Sequence, residues 1–248
     1  MTTLPINLVV FTSTAGHFGF YDVYKTSVKH LKKQIGLNTF SQKFAHIKVR
    51  EDQSEKDRLN EMVDFFVSEN IKPIVTFGNW QRGMSHQNEY LNDIYKMFTM
   101  QDLHNQPFTF WFEDDSPLHA KDENSVFKCF NEAIDALNNN IDLLNFRFIR
   151  DGLVEPEKSV SPYNQMETFD FQPNISRTRD LFLAIKIIFD NWKSFKNAQC
   201  EMAFRIAISN FSRSNPKFLG FDTKIATSYH IGTPEYLDYL KLDDFQNL

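Results

Sequence analysis

Short apolar runs alternate with segments whose apolar residues recur every three or four positions, and this alternation restricts the fold more than any other feature of the chain. Ile6–Phe11, Phe44–Val49, Ile71–Phe77 and Phe108–Phe112 read as strands. Between them, Tyr24, Val28, Leu31 and Ile35 mark one face of a helix over Tyr21–Ile35, and Leu59, Met62, Val63, Phe66 and Val67 mark a second over Ser54–Asn70. A third helix is expected over Met84–Met100, and a fourth, over Glu123–Asn138, precedes a strand at Leu143–Ile149. Strands interleaved with helices build mostly parallel sheets covered on both faces, so the expected class is α/β, with a Rossmann-like sheet flanked by helices. After Arg150 the alternation weakens. A polar stretch, Asp151–Gln165, leads to a short strand near Thr168–Phe171, helices at about Arg177–Trp192 and Gln199–Phe211, and a last strand at Lys224–His230. No repeat, low-complexity tract or linker interrupts the 248 residues, which predicts one domain in two unequal halves, 1–120 and a smaller-featured 121–248.

Composition narrows the class of function. Hydrophobic residues make up 42% of the chain, enough for a sizeable core, so disorder is not expected. The formal net charge of −5 lacks the basic surface of a nucleic-acid-binding domain. Cys129 and Cys200 each fall in an apolar helical stretch and read as reduced core thiols. No run approaches the roughly 20 apolar residues of a membrane span. The first residues, Met1 to Pro5, carry no basic, long apolar signal. The expectation is a cytoplasmic protein without a membrane span.

In open parallel sheets ligands bind outside the carboxyl ends of the strands. The expected rim is therefore Thr12–His17, Gly78–Arg82 and Glu113–Ser116. The strand Phe108–Phe112 runs straight into Glu113-Asp114-Asp115. Adjacent carboxylates at the end of a buried strand repel one another unless a positive charge neutralises them. Mg²⁺ or Mn²⁺ would serve, because hard cations prefer carboxylate oxygens and keep positions open for phosphate. The alternative is a solvated acidic turn in which Asp115 or Ser116 caps the next segment.

A strand followed by Glu-Asp-Asp resembles the "DxD" signature of nucleotide-sugar glycosyltransferases of the GT-A fold. Three other segments carry the same resemblance: His230-Ile231-Gly232, Arg82-Gly83-Met84-Ser85-His86-Gln87-Asn88 and the loop Thr12-Ser13-Thr14-Ala15-Gly16-His17. Together with Glu113-Asp114-Asp115-Ser116, the chain most resembles chlorella-virus glycosyltransferases that act on capsid glycans. The resemblance implies a manganese- or magnesium-dependent transfer from a nucleotide-diphosphate sugar, such as a UDP-sugar, to a glycan or glycoprotein hydroxyl. It implies metal ligation by Asp115, with Glu113 and His230, and donor binding by Thr12, Ser13, Thr14, His17, Arg82, Asn88, Glu113 and Asp114. It makes 1–120 the donor half and 121–248 the acceptor half, and a viral member would work in its host's cytoplasm.

Inverting transfer needs a carboxylate base opposite the leaving diphosphate. Glu201 is the first candidate, because it shares the three- and four-residue stripe of Phe204, Ile208 and Phe211; Asp222 and Asp151 are alternatives. Arg147 alternates with Phe146 and Phe148, which predicts a wet or ligand-facing side of that strand and, with Asp151, an acceptor contact. Trp80 and Trp111 could stack a ring, although a buried Trp more often belongs to the core. A nucleotidylyltransferase would have a similar acidic site, but such enzymes carry a Gly-rich basic loop after the first strand; here that loop has one Gly and no Lys or Arg. A catalytically silent sugar-nucleotide-binding module is the other alternative. No Gly-x-Ser-x-Gly or zinc-ligand spacing is present.

Overall fold

The computed structural model describes residues 3–14, 22–49, 53–77, 94–99, 102–120, 125–149, 158–160, 163–166, 172–195, 200–209, 217–222, 225–229 and 231. The first four strands are parallel neighbours: β1 (Leu4–Ser13) lies between β2 (Phe40–Val49) and β4 (Phe108–Glu113), and β3 (Lys72–Phe77) pairs with β2 on the outer edge. Helices α1 (Val23–Ile35) and α2 (Gln53–Ser68) supply the crossovers between β1, β2 and β3. Gly36 ends α1 at φ 77°, a left-handed conformation that a side chain would oppose, and its N–H closes onto the Lys32 carbonyl at 2.9 Å.

Helix α3 (Val126–Asn139), whose first turn is capped by the Ser125 hydroxyl accepting from Lys128 N–H at 3.1 Å, leads into β6 (Leu143–Arg147). Between β4 and β6 sits the short antiparallel β9 (Asn174–Arg177), followed at once by helix α4 (Thr178–Asp190). Beyond β6 come β10 (Lys217–Phe221), β8 (Tyr163–Met166) and β7 (Lys158–Val160), completing the order β3-β2-β1-β4-β9-β6-β10-β8-β7. A separate pair, β5 (Leu118–Ala120) and β11 (Ala226–Ser228), is antiparallel. The protein is thus an α/β molecule with a mostly parallel sheet flanked by helices, as the alternation predicts.

The sheet is buried on both faces, which is why its central strands read as continuous apolar runs. On one side Leu8, Val10, Phe110, Phe112 and Phe148 pack with Val28 and Leu31 of α1 and Phe130 of α3. On the other, Val9, Phe11 and Trp111 pack with Phe98, Ile185 of α4 and Phe204 of the helix α5 (Cys200–Ser209). Much of the chain's Phe content interlocks here: Phe110 meets Phe130 edge-on with centroids 4.7 Å apart, and Phe148 lies 5.0 Å from Phe221. Trp111 belongs to this core, stacked on Phe11 at 4.1 Å; Trp80 lies outside the described residues. Cys129 is a buried free thiol.

Several elements differ from expectation. β9 and the β8–β7 hairpin arise from polar sequence, and β10 from the short run Lys217–Phe221 to which the pattern assigns no strand; residues near Thr168–Phe171 lie outside the described set, as does most of the helix expected over Met84–Met100, of which 94–99 is helical. The expected last strand, Lys224–His230, is reduced to Ala226–Ser228 and joins the small sheet rather than the main one. Asn174-Ile175-Ser176-Arg177 forms a central strand despite its polarity because its side chains are satisfied internally: Ser176 Oγ donates to Asn174 Oδ1 at 2.9 Å, and Asn174 Nδ2 donates to the Gln172 carbonyl at 2.9 Å.

β10 packs tightly on β6 at Gly220, which lies opposite Arg147. A β-carbon there would sit 2.6 Å from Ile149 Cγ1 and 3.3 Å from Arg147 Cγ. Gly220→Ala is therefore expected to cost about 1–3 kcal/mol by overpacking. In urea titrations the cost should shrink in an Ile149→Ala background, where the obstructing atoms are gone; equal costs in both backgrounds would remove this explanation.

Candidate functional site

The parallel strands end together at one edge, and the register places the polar residues that follow them side by side. Phe11 faces Glu113 across β1 and β4, and Ser13 faces Lys48 across β1 and β2. Alternation sends Ser13 and Glu113 to one face of the sheet and Thr12 and Asp114 to the other. Thr12 and Asp114 meet: the Thr12 hydroxyl donates to Asp114 Oδ2, while the Asp114 N–H donates to the Phe11 carbonyl at 3.1 Å. Asp114 is 4% exposed and Asp115 5%. Burial at this level stabilises a carboxylate only where hydrogen bonds or positive charge replace water. Asp115 Oδ1 accepts the Ser116 hydroxyl at 2.9 Å, and its backbone carbonyl accepts the Ile231 N–H at 2.8 Å. Glu113 is partly exposed at the strand end.

The small β5–β11 sheet draws two distant strand ends toward this acidic loop. β5 follows the acids directly, and beyond β11 the Tyr229 N–H bonds to the Pro117 carbonyl at 2.9 Å. On its other side β11 is tied to the exit of β6: the Thr227 hydroxyl and Ser228 N–H donate to the Ile149 carbonyl at 2.7 and 3.1 Å, and the Ser228 hydroxyl donates to the Phe148 carbonyl at 3.0 Å. The antiparallel β9 otherwise separates the ends of β4 and β6, so this clip is what holds them at one rim. Because β9 runs against its neighbours, the segment entering it, Gln172-Pro173, also lies at that rim, where the Pro173 carbonyl accepts the Phe148 N–H at 2.8 Å.

The other candidates divide by position. Thr14 holds the β2 end, its N–H donating to the Lys48 carbonyl at 3.0 Å. Asp222 follows β10 at the same edge, its carbonyl accepting the N–H groups of Ile225 and Ala226 at 2.8 and 3.1 Å. Arg147 ends β6, but the wet face predicted for that strand is absent. Arg147 is 3% exposed, and every residue of β6 is buried, because β9 and β10 flank the strand and α3 and the α4–α5 layer cover it. Glu201 belongs to α5, between the buried Phe204 and Ile208 stripe and the chain before it, and its side chain lies outside the described residues. His17, Arg82, Asn88, Asp151 and His230 also lie outside them. The chain neighbours of His230, Tyr229 and Ile231, are the residues bonded to the acidic loop.

One rim residue escaped the sequence reading. Lys48 is buried at the carboxyl end of β2, beside Ser13. The signal was present, since His46 and Lys48 interrupt Ala45, Ile47 and Val49 with period two, and a lysine in a buried strand needs a polar partner.

Among the described residues no three acid, histidine or cysteine side chains converge to hold a metal ion. Mg²⁺ and Mn²⁺ are commonly held by one or two carboxylates together with substrate phosphates. The oxygen donors of Glu113 and Asp115 at a buried strand end fit that kind of site. Asp114, turned to Thr12, fits a role in shaping the loop.

No known protein family matches the chain, and no curated protein does. Its backbone is similar to that of a protein from Bacillus anthracis described as a glucose-1-phosphate thymidylyltransferase, in complex with sucrose, with TM-score 0.54, 8% identity, and 97% of this chain and 95% of that one covered. It is similar also to a nucleoside-diphosphate-sugar pyrophosphorylase from Vibrio cholerae, with TM-score 0.50, 10% identity, and 95% and 99% covered. A glycosyltransferase involved in glycosylation of the major capsid of PBCV-1 aligns with TM-score 0.43 and 10% identity, covering 95% of this chain and 98% of that one. At these identities the likeness is one of fold. No helix among the described residues is long and apolar enough to cross a membrane.

Proposed function

We propose that this chain is a divalent-metal-dependent glycosyltransferase of the GT-A type, moving a sugar from a nucleotide diphosphate, UDP in the first instance, to a glycan hydroxyl. The observation that carries the reading is the bonding of Ile231 N–H to the Asp115 carbonyl and of Tyr229 N–H to the Pro117 carbonyl. These bonds support the reading because they tie Tyr229 and Ile231, the chain neighbours of His230, to the loop that carries Glu113-Asp114-Asp115. Asp115, with Glu113 and His230, would hold Mn²⁺ or Mg²⁺. When bound, such an ion neutralises charge on the departing diphosphate. Thr12 fixes Asp114 and with it the loop; Ser13, Thr14 and Lys48 offer hydroxyl and ammonium donors to the nucleotide. Glu201, with Asp222 as the alternative, would take the proton of the acceptor hydroxyl as its oxygen bonds to the anomeric carbon and the bond to the diphosphate breaks, which inverts the configuration. Arg147 would hold the acceptor side through charge-assisted bonds only if binding uncovers it, since it is buried at the end of β6.

The similarity to two enzymes of nucleotide-sugar synthesis favours a second reading, in which the chain joins a nucleoside triphosphate to a sugar 1-phosphate. The first loop opposes it, because Thr12–His17 has no Lys or Arg to grip a triphosphate. Calorimetry and product analysis separate the two. We expect Mn²⁺-dependent heat with UDP-sugars and release of UDP, with no pyrophosphate formed from nucleoside triphosphate plus sugar 1-phosphate. Pyrophosphate formation would select the second reading, and no heat at millimolar UDP-sugar would remove the first. Glu201→Gln should keep donor affinity and lower transfer about a hundredfold; unchanged turnover would move the base elsewhere.

A further inference from the structure

Strand β5 carries the chain out of the acidic loop, and among the described residues β11 is its one strand neighbour. Backbone groups alternate in direction along β11. The Tyr229 N–H turns to β5 and bonds the Pro117 carbonyl, whereas the Ser228 N–H turns away, to the Ile149 carbonyl. Leu118 lies opposite Ser228, in the kind of antiparallel pair whose members point their backbone groups away from each other. The carbonyl of the buried Leu118 therefore faces the other edge of β5, and there it meets His30 Nε2 at 2.6 Å.

His30 is fully buried on α1, the helix that packs along β5. A carbonyl oxygen can only accept, so Nε2 carries the proton and donates it. The side chain makes the bond that a third strand would otherwise make. Its ring centroid lies 6.4 Å from that of His119, and His119 lies 5.8 Å from Tyr229, so three rings run from α1 to the residue before His230. The acidic loop is thus held along its length. The Phe11 carbonyl takes the Asp114 N–H, Ile231 and Tyr229 take the Asp115 and Pro117 carbonyls, and His30 takes that of Leu118. Adjacent carboxylates repel one another, and a loop that is ordered before a cation arrives lowers the ordering cost of binding.

We propose that His30 is a positioning residue for the acidic loop. Its bond to the Leu118 carbonyl fixes β5 against β11 and so holds Glu113 and Asp115 in place for a divalent cation. The cation rests on the metal-dependent reading above; the fixing of the loop does not.

His30→Leu keeps a buried side chain of similar size but has no donor. In the metal-free protein, amide exchange at Tyr229 and Ile231 should then rise at least about tenfold, because local opening becomes easier. Mn²⁺ affinity, read from the paramagnetic resonance of unbound Mn²⁺, should fall about tenfold, as it does when groups behind metal ligands are lost. His30→Gln, whose amide can donate to the same carbonyl, should largely restore both. His30→Asn, whose amide falls short of that carbonyl, should repeat the loss and serves in place of a leucine variant that fails to fold. Ile35→Ala opens a cavity at the far end of the same helix, and should lower stability while leaving Mn²⁺ affinity unchanged. Unchanged exchange or unchanged Mn²⁺ affinity in the donor-less variants would overturn the proposal. So would a loss that His30→Gln fails to restore or that Ile35→Ala reproduces. A parent chain that binds no Mn²⁺ would remove the metal reading itself, and exchange at Tyr229 and Ile231 would then decide the fixing of the loop alone.

Discussion

Asp115→Ala is expected to abolish metal-dependent donor binding, lowering Mn²⁺-dependent UDP affinity on the order of a hundredfold or more. Loss of residues that merely support a metal ligand costs 10- to 100-fold as a rule, and loss of a ligand costs more. The substitution has a structural component as well, because Asp115 Oδ1 accepts the Ser116 hydroxyl. Asp115→Asn separates the two effects: its amide oxygen can still take the Ser116 hydroxyl, so thermal stability should stay close to that of the parent while metal dependence is lost. The bond from Ile231 N–H runs to the Asp115 backbone and survives either change. Asp114→Asn should behave oppositely, with lower stability through the Thr12 contact and a smaller loss of affinity. Calorimetry with UDP at fixed Mn²⁺ checks all three variants, and full Mn²⁺-dependent affinity in Asp115→Asn would sink the metal assignment.

The second large effect concerns the frame that holds the rim. Arg177 ends β9 and reaches under α3: Nη1 donates to the Leu143 carbonyl at 2.7 Å and to Asp180 at 3.1 Å, and Nη2 donates to the Asn140 carbonyl at 2.7 Å and to that of Leu137. The terminal carbonyls of α3 have no partner within the helix, so one guanidinium satisfies the helix end, the start of β6 and the first turn of α4 together. Hydrogen bonds to a charged group contribute about 1.5–3 kcal/mol each but do not add fully when they share a donor. Arg177→Ala should therefore cost about 4 kcal/mol, or roughly 10 °C in Tm for a domain of this size. Arg177→Lys should recover little, because a single ammonium cannot span three carbonyls in the fork geometry. Urea unfolding that shows less than 1 kcal/mol lost in Arg177→Ala would contradict this account.

The first half of the fold is legible because its central strands, β1 and β4, are buried on both faces and each helix between its strands is buried on one. Ile6–Phe11 and Phe108–Phe112 could be nothing but central strands, and the acids after Phe112 had to emerge at a carboxyl edge. The second half was not legible, since its central strand β9 has one apolar residue in four and is stabilised by side-chain bonds that sequence periodicity does not register. β10 was overlooked because Gly220 and its polar approach disguise a strand whose small residue makes room for Ile149. The same holds at the rim. Thr12 and Asp114 were both chosen from sequence as donor contacts, but that they would bond each other depends on a parallel register between residues 102 positions apart. For Arg147 alternation predicts a wet or ligand-facing side, and the side is not wet, because alternation says which side a residue takes and not what covers that side.

The sequence by itself determined the layered α/β class, the position of Glu113-Asp114-Asp115 at a strand end, and the segments at which a ligand could be met, because hydrophobic periodicity and local chain direction are properties of neighbouring residues. Only the tertiary structure decided which of those segments share a rim. The antiparallel β9 between β4 and β6, and the β5–β11 clip that fastens Ile231 to Asp115 and Ser228 to Ile149, are long-range pairings whose free energy depends on residues that no local pattern connects.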